Sequence, residues 1–287
     1  MTDEKAAPPD PKRKLFFGLF VFPLLVAVGM AALLCMVVFL THEEETPETL
    51  ITAIKTGSPS KRWQKAFELS NELNRRPEMI RSKGVMGEIL HILGDSERYD
   101  SKTRSYMAMA LSRFQEPEAV EAVRKRLKEE TEEVQLYLIW ALGNLNAREA
   151  AGDLEPFLAS SNPDLRQMAA YVSGVLGDKE TAARLRPLLK DPVTDVSWNA
   201  ALSLARLGDD SGAGILMKML DRNALTENHR LSKTQAEKIM VNAAKGLGRI
   251  KNPESDSLLR SLAENDESLQ VRQAALEALK KEEVSRA

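Results

Sequence analysis

The residues that most often carry catalysis are few in this chain and far apart. Its three histidines are His42, His91 and His229, and its only cysteine is Cys35. Catalysis needs converging groups with tuned pKa values, and the sequence shows no glycine-rich phosphate loop, nucleophile elbow or cluster of metal ligands. We therefore expect a protein that is not an enzyme, with no catalytic, cofactor-binding or metal-binding residues. A site built from carboxylates stays open, because Asp and Glu together number 42.

Side chains suited to binding another protein are more conspicuous, and they recur at a fixed interval. Trp140, Tyr171 and Leu202 stand 31 residues apart in sequence. Large aromatic and apolar side chains on a soluble surface mark interaction sites. Two alternatives stay open: the positions assigned within the repeat are off by one residue, or the second helix of each repeat covers these side chains. The predicted protein-binding stripe consists of Met109, Leu136, Trp140, Tyr171, Trp198 and Leu202.

These positions belong to a repeated pattern, V-R-x-x-A-x-x-A-L-G-x-L-G, which has the spacing of a helix. Successive copies begin at Val134, Leu165 and Val196. In each copy the first, fifth, eighth, ninth and twelfth positions share one helical face, which must be buried. A fixed period of this size predicts a stack of helix pairs, an α-solenoid. The predicted repeat openings lie near residues 62, 103, 134, 165, 196, 239 and 271.

The column pattern resembles the short HEAT repeats of phycobilisome lyase-like proteins over most of residues 61–280. The resemblance implies an all-α superhelix and a role as a scaffold or binding surface. Two enzymatic branches of the family use a bilin chromophore or several His-Glu pairs on successive helices. This chain has one such pair, His42-Glu43, so neither activity carries over, and a lyase-like enzyme is the least favoured reading.

An uncharged apolar run from Leu15 to Leu40 predicts a transmembrane helix. As a helix it would span roughly 39 Å, more than the ~30 Å hydrocarbon core. A cleaved signal peptide is the alternative, but the run exceeds the usual apolar region and lacks a small-x-small exit site. Lys5 and the basic residues 12–14 precede the run. The positive-inside rule therefore predicts a single-pass cell-membrane protein with a cytoplasmic N-terminus and an extracytoplasmic repeat domain, periplasmic in a Gram-negative bacterium.

The resulting domain prediction has four parts, and its partner is another protein. A cytoplasmic tail (1–14) precedes the transmembrane helix (15–40), a juxtamembrane segment with a first helix (41–60) and the repeat domain (61–287). The formal net charge is −2, and no basic run interleaves with aromatics, which disfavours nucleic-acid binding. No cofactor or small-molecule substrate is expected. The fold prediction is an all-α solenoid preceded by a single transmembrane helix.

One interval between repeats is longer than the period. Val196 to Ile239 is 43 residues, twelve more than 31, and the excess lies near residues 221–234. Insertions in repeat proteins form loops on one face, often a functional one. Asn228, His229 and Arg230 are therefore a candidate binding loop, although a lone histidine is more simply an ordinary loop residue.

These observations favour a membrane-anchored scaffold or adaptor that binds another protein through its solenoid. The alternative is a non-catalytic accessory subunit of an integral membrane complex, such as a transporter or an envelope machine. The stripe is expected on the outer surface of the repeats. The second helix of each pair is expected to form the inner, concave surface, which is mostly polar and is the default alternative for binding a peptide.

Overall fold

The computed structural model describes residues 17–41, 46–81, 84–250 and 252–286. Within these residues the chain forms helices and turns and no strand. The all-α prediction is confirmed. The predicted cytoplasmic tail and the His42-Glu43 pair lie outside the described residues. The chain divides between Thr46 and Pro47 into a short N-terminal unit and a large repeat unit.

The N-terminal unit contains one long apolar helix. A π-helical turn, Phe17–Val21, leads into α1, Phe22–Thr41. The segment Leu19–Val37 is long and apolar enough to cross a membrane, and none of it is buried by the protein. A signal sequence near an N-terminus satisfies the same test of length and composition.

The repeat unit consists of two layers of helices. The odd-numbered helices from α3 onward stack on one another and form the first layer. Each of them contains one of the predicted repeat openings, which lie near residues 62, 103, 134, 165, 196, 239 and 271. The first-layer helices are α3 (Pro59–Arg75), α5 (Ser101–Leu111), α7 (Glu132–Asn144), α9 (Pro163–Leu176), α11 (Thr194–Arg206), α13 (Lys233–Leu247) and α15 (Leu269–Arg286).

The second layer is made of helices of 4 to 13 residues, several of them extended by 3₁₀ turns. Those turns are Pro77–Arg81, Arg148–Leu154, Lys179–Thr181, Arg186–Lys190 and Asp210–Gly212, with a π-helical turn at Ala224–Asn228. The second-layer helices are α2 (Pro47–Thr56), α4 (Val85–Gly94), α6 (Pro117–Leu127), α8 (Glu155–Leu158), α10 (Ala182–Leu185), α12 (Ala213–Lys218) and α14 (Pro253–Asn265).

Local sequence signals set where the first-layer helices begin and end. The side chain of Asn162 accepts a hydrogen bond from the backbone of Asp164, and Pro163 occupies the first turn of α9. Such a capping side chain before a proline is a strong helix start. Gly177 ends the same helix with a φ of 76°, a left-handed conformation that glycine adopts without steric cost. Ser232 and Gln235 form a reciprocal capping box at the start of α13.

Small residues bring the first-layer helices into close contact. A Cβ atom added to Gly174 on α9 would lie 2.4 Å from Oγ of Ser203 on α11 and 2.7 Å from its Cα. A Cβ on Gly248, at the end of α13, would lie 2.6 Å from Cα of Ala278 on α15. Helices of the second layer approach one another at far fewer points. The repeat unit is therefore held together most tightly along its first layer.

The first-layer helices therefore approach one another more closely than the second-layer helices do. The expectation that the second helices form the inner, concave surface stays a prediction.

Candidate protein-binding groove

The predicted stripe lies on the first-layer helices, and its members are partly exposed. Tyr171 on α9 is 39% exposed. Met109, Trp140 and Leu202, at the equivalent positions of α5, α7 and α11, are less exposed but not buried. Leu136 and Trp198 are also partly exposed. A partner could therefore reach these side chains, and their binding role stays a prediction.

Three consecutive first-layer helices form a groove around Trp140 and Tyr171. Its volume is about 430 Å³. Apolar and aromatic side chains line it together with polar ones. This groove, called the α7–α11 groove below, is lined by Leu136, Trp140, Asp164, Gln167, Met168, Tyr171 and Asn199.

Trp198 does not join the α7–α11 groove. Its ring packs edge-to-face against His229 of the inserted segment, with centroids 5.1 Å apart. The two rings line a separate pocket of about 370 Å³, together with Leu189 and Ile215 of the second layer. The side chain of Trp198 therefore contacts the inserted segment, and its place in one continuous binding stripe stays a prediction.

The inserted segment is folded against the repeat unit. It contains a π-helical turn, Ala224–Asn228, in which Leu225 is buried. Asn228, His229 and Arg230 are all exposed, and Arg230 has a φ of 53°. Of these three candidate loop residues, His229 makes the ring contact with Trp198. The structure therefore gives His229 a packing role.

A second aromatic row continues the exposed surface toward the N-terminal repeats. Phe67 and Tyr106 have ring centroids 5.2 Å apart, and Tyr106 and Tyr137 have centroids 6.2 Å apart, both edge-to-face. Burial raises the pKa of Tyr106, and the neighbouring Tyr137 adds to this shift. The sequence analysis missed this row, although Tyr106 and Tyr137 are 31 residues apart at the fourth position of the pattern.

Arg206, the last residue of α11, lies over Tyr171 with its guanidinium carbon 5.1 Å from the ring centroid. Burial lowers the pKa of Arg206, and the positive charge of Arg249 lowers it further. Its Nη1 atom is buried and has no hydrogen-bond acceptor among the described residues.

Arginines at the second position of the repeat connect neighbouring turns of the first layer. Arg166 donates from Nε and Nη2 to both carboxylate oxygens of Asp191, at 2.8 and 3.0 Å. Its Nη1 also donates to the backbone oxygens of Ser160 and Ser161. Asp191 holds the pKa of Arg166 above its ordinary value through these hydrogen bonds. Arg104 similarly pairs with Glu130. The sequence pattern shows this arginine but does not name its partner.

The second layer is joined by ion pairs of a different kind. Arg124 contacts Asp153, Arg184 contacts Glu155, and Arg186 contacts Asp209, each pair linking consecutive repeats. In every pair the arginine side chain is more than a third exposed. Much of the charge that the sequence suggested as an alternative binding surface is therefore paired within the protein.

Among the residues that the structure describes, no group of three or more His, Cys, Asp or Glu side chains could hold a metal ion. His91 is exposed on α4, and Cys35 is exposed on α1. The groove can accordingly offer apolar contact, hydrogen bonds and charge to a ligand.

Stacked helix pairs of this kind define an α-solenoid, and comparison with protein families identifies its repeats. A model of HEAT repeats matches residues 89–171 and 153–229. This match confirms the HEAT-repeat prediction for that part of the chain. No curated protein matches the chain at a significant level.

Solved structures show a similar fold at low sequence identity. The complex of CpcE and CpcF of phycocyanin lyase from Nostoc sp. PCC7120 matches with a TM-score of 0.56 and 19% identity, over 84% of this chain and 96% of that one. An engineered protein matches with a TM-score of 0.47 and 20% identity, over 82% and 67% of the two chains. Human deoxyhypusine hydroxylase in complex with glycerol matches with a TM-score of 0.36 and 18% identity, over 83% and 84%. At this identity the first match shows the fold alone, and the two lower TM-scores add nothing to it.

Proposed function

We propose that this protein is a membrane-anchored scaffold that binds a segment of another protein in the α7–α11 groove. The observation that carries the proposal is the part-exposed pair Trp140 and Tyr171 in an open groove. Exposed aromatic side chains at the centre of a concave surface are the usual anchors of a protein interface. HEAT repeats are typical of protein-binding scaffolds, which supports this function.

The groove is a better candidate than the surface of the second layer. A charged surface whose ion pairs are already formed internally gains little by exchanging them for pairs with a partner. The pairs made by Arg124, Arg184 and Arg186 are of this kind. The groove instead exposes apolar surface, and removing that surface from water is favourable.

The anchor in this proposal is α1. Its apolar side chains have no cover within the protein, and a lipid bilayer would remove them from water. The basic residues before α1 favour a cytoplasmic N-terminus and an extracytoplasmic repeat unit. A removed signal sequence would have similar composition. Carbonate extraction and mass measurement of the mature protein distinguish the two, because only an anchored protein keeps residues 15–40 and stays in the membrane pellet.

An accessory subunit of an integral membrane complex is the second candidate. Ala27, Gly29, Ala31 and Ala32 are small residues in α1, and a Cβ on Gly29 would meet nothing within 4 Å. Small residues let transmembrane helices pack closely. Replacing α1 by an unrelated membrane span tests this role, since an accessory subunit would lose its complex and a simple anchor would not. We assign no catalytic role in either case, and a lyase-like activity stays the least favoured.

The groove proposal is tested by affinity purification of the full-length protein from detergent-solubilised membranes. The double variant Trp140→Glu/Tyr171→Glu should lose its protein partner, because truncating interface anchors costs at least about 2 kcal/mol each, or roughly 30-fold in affinity. The matched control is Lys125→Glu/Arg260→Glu, which changes two exposed side chains of the second layer.

This comparison is valid only if both double variants keep the thermal midpoint of the parent protein. A partner that survives the groove variant, but is lost with the second-layer variant, would contradict the proposal. Retention of the same partner by both variants would also contradict it and would shift attention to α1.

A further inference from the structure

Three exposed carboxylates lie at equivalent positions on the three helices that form the α7–α11 groove. Glu133 on α7, Asp164 on α9 and Asp195 on α11 each precede a repeat opening by one residue and stand 31 residues apart. In the repeats on either side, the same position is occupied by Lys102 on α5 and Lys238 on α13. This acidic row therefore coincides with the groove, and the preference of helix N-termini for negative charge does not by itself account for it.

The protein does not neutralise the acidic row itself. None of the three carboxylates forms an ion pair among the residues that the structure describes, whereas Asp191, just before α11, is paired with Arg166. Neighbouring packed helices lie roughly 8–10 Å apart, about one Debye length at physiological ionic strength, so the potentials of the three charges add. A positively charged ligand would relieve that repulsion, and a polyanion such as a nucleic acid would increase it.

The groove itself offers acceptors to a positive charge. Among the described residues that line it, none is basic and Asp164 is the one carboxylate. Its amide side chains are Gln167 and Asn199. Asn199 donates from Nδ2 to the backbone oxygen of Asp195 at 2.8 Å, which leaves its Oδ1 atom as an acceptor. An ammonium or guanidinium group beside Asp164 would therefore meet acceptors and no competing cation.

Aromatic rings of this protein already hold cations of the same chain. Nζ of Lys102 lies 3.4 Å from the ring centroid of Trp63. The guanidinium carbon of Arg206 lies 5.1 Å from the ring centroid of Tyr171. Trp140 lines the groove, and no cation of the described residues lies over its ring. Because tryptophan is the strongest aromatic partner of a cation, Trp140 can accept a lysine or arginine side chain from a ligand.

The positive charge of Arg206 lies far from the acidic row. Arg206 is the last residue of α11, and Asp195 lies in the first turn of the same helix. Eleven residues separate them, which is roughly 16 Å along a helix and about twice the Debye length. A cation bound at the acidic row is therefore attracted by the nearby carboxylates and only weakly repelled by Arg206.

We propose that the partner segment is an extended basic peptide of another protein. One lysine or arginine side chain packs on the Trp140 ring and pairs with Asp164, and a second pairs with the carboxylate of an adjacent helix. At about 3.4 Å per extended residue, carboxylates at helix spacing match basic residues two to three positions apart. This inference rests on the proposed function and adds to it the charge and spacing of the bound segment.

The test uses a phage-displayed library of random dodecapeptides, selected on the full-length protein in micelles of an uncharged detergent. We expect enrichment of Lys or Arg two to three positions apart. An enriched peptide is then synthesised with a fluorescent label, and its affinity is measured by anisotropy. Glu133→Gln/Asp164→Asn should weaken its binding by about tenfold, as expected for the loss of two charge-assisted contacts at an exposed surface.

The matched control removes the same number of negative charges from the second layer. Glu118→Gln/Glu121→Gln changes two exposed side chains of α6 and should leave the affinity within about twofold. A peptide with glutamine in place of its basic residues should bind the parent protein more weakly, and its affinity should not depend on the acidic row. Raising the salt concentration should weaken the basic peptide more with the parent protein than with the variant of the acidic row.

The outcomes also separate this inference from the groove proposal. Selected peptides without basic enrichment, or an equal effect of the acidic-row variant and its second-layer control, would overturn the basic-peptide inference. The groove itself would still stand if those peptides lost affinity for Trp140→Ala/Tyr171→Ala, which removes both rings without adding charge. A selection that yields no binding peptide would also overturn the inference, and the affinity purification would then test the groove independently.

Discussion

The two layers of the repeat unit are built from the same chain by different means. First-layer helices contact one another at glycine and serine residues, and Arg166 of α9 forms a bidentate ion pair with Asp191, just before α11, whose side chains are 14% and 6% exposed. Consecutive second-layer elements are joined by ion pairs such as Arg184–Glu155, whose side chains are 61% and 41% exposed. Close packing between helices is therefore concentrated in the layer that carries the groove, whereas buried ion pairs also occur elsewhere, as between Arg222 and Asp266.

This difference suggests why the groove lies on the first layer. A binding surface loses less conformational entropy on association when its side chains are already held in place. Trp140 and Tyr171 project from helices whose spacing is set by backbone contacts at residues such as Gly174. The helices of the second layer make fewer close contacts with one another. The inserted segment lies next to Leu189 and Ile215 of that layer.

The largest expected effect tests the ion pair of the first layer. Arg166→Gln leaves the carboxylate of Asp191 buried without its cation and should lower the free energy of unfolding by about 3 kcal/mol. Arg184→Gln, its second-layer counterpart, should change that free energy by less than about 1 kcal/mol because both partners are exposed. Urea titration of the full-length protein in detergent micelles measures both. Equal losses would show that the two layers do not differ as described.

A smaller effect is expected from filling the space between first-layer helices. Gly174→Ala places a Cβ against the backbone of Ser203 and should cost about 1–3 kcal/mol through overpacking. The matched control is Gly214→Ala on α12, where a Cβ would meet nothing within 4 Å. That change should be neutral or stabilise by up to about 1 kcal/mol, because alanine suits a helix better. Destabilisation by the control alone would contradict the assignment of the closer layer.

The pH dependence of stability should depend on the same ion pair. The hydrogen bonds from Arg166 hold the pKa of Asp191 below its ordinary value, outweighing the effect of its burial. The pair therefore stabilises the fold fully above the unfolded pKa of about 3.9, and this contribution is lost as pH falls through the lower folded pKa.

Asp191→Asn should remove that part of the acid sensitivity. The variant should be less stable than the parent at pH 7, and the difference should shrink as the pH is lowered toward 3. Thermal midpoints recorded across that range check it. Asp195→Asn, which changes an exposed carboxylate in the first turn of α11, is the control and should leave the pH profile nearly unchanged. A constant difference between parent and Asp191→Asn would exclude this role.

The sequence predicted the repeats well because their signal is periodic. Apolar positions at helical spacing and a 31-residue period specify which faces are buried, and Val134, Leu165 and Val196 are all buried as expected. The helices that approach one another most closely were harder to predict, because the approach depends on residues that are distant in sequence. Gly174 shows its importance only when Ser203 is seen beside it.

The repeat pattern also did not predict every part of the candidate site. The partial exposure of Trp140 and Tyr171 agrees with their position on the helix. Trp198 was predicted on the same surface, but its ring packs against His229 of the inserted segment. Arg206 is one of several arginines at the end of a repeat helix. The stacking of its guanidinium on Tyr171 depends on neighbours in three dimensions, which a single repeat does not reveal.

The smallest expected effect concerns the contact between His229 of the inserted segment and Trp198 of α11. His229→Ala removes the ring that packs on Trp198 and should cost about 0.5–1.5 kcal/mol, the value of a typical aromatic pair. Because the pocket around it is separate from the α7–α11 groove, partner binding should be unchanged. Asn228→Ala, at an exposed neighbouring position, should alter neither property. Loss of the partner with His229→Ala, at an unchanged thermal midpoint, would place the binding surface at the insertion and not on the first-layer groove.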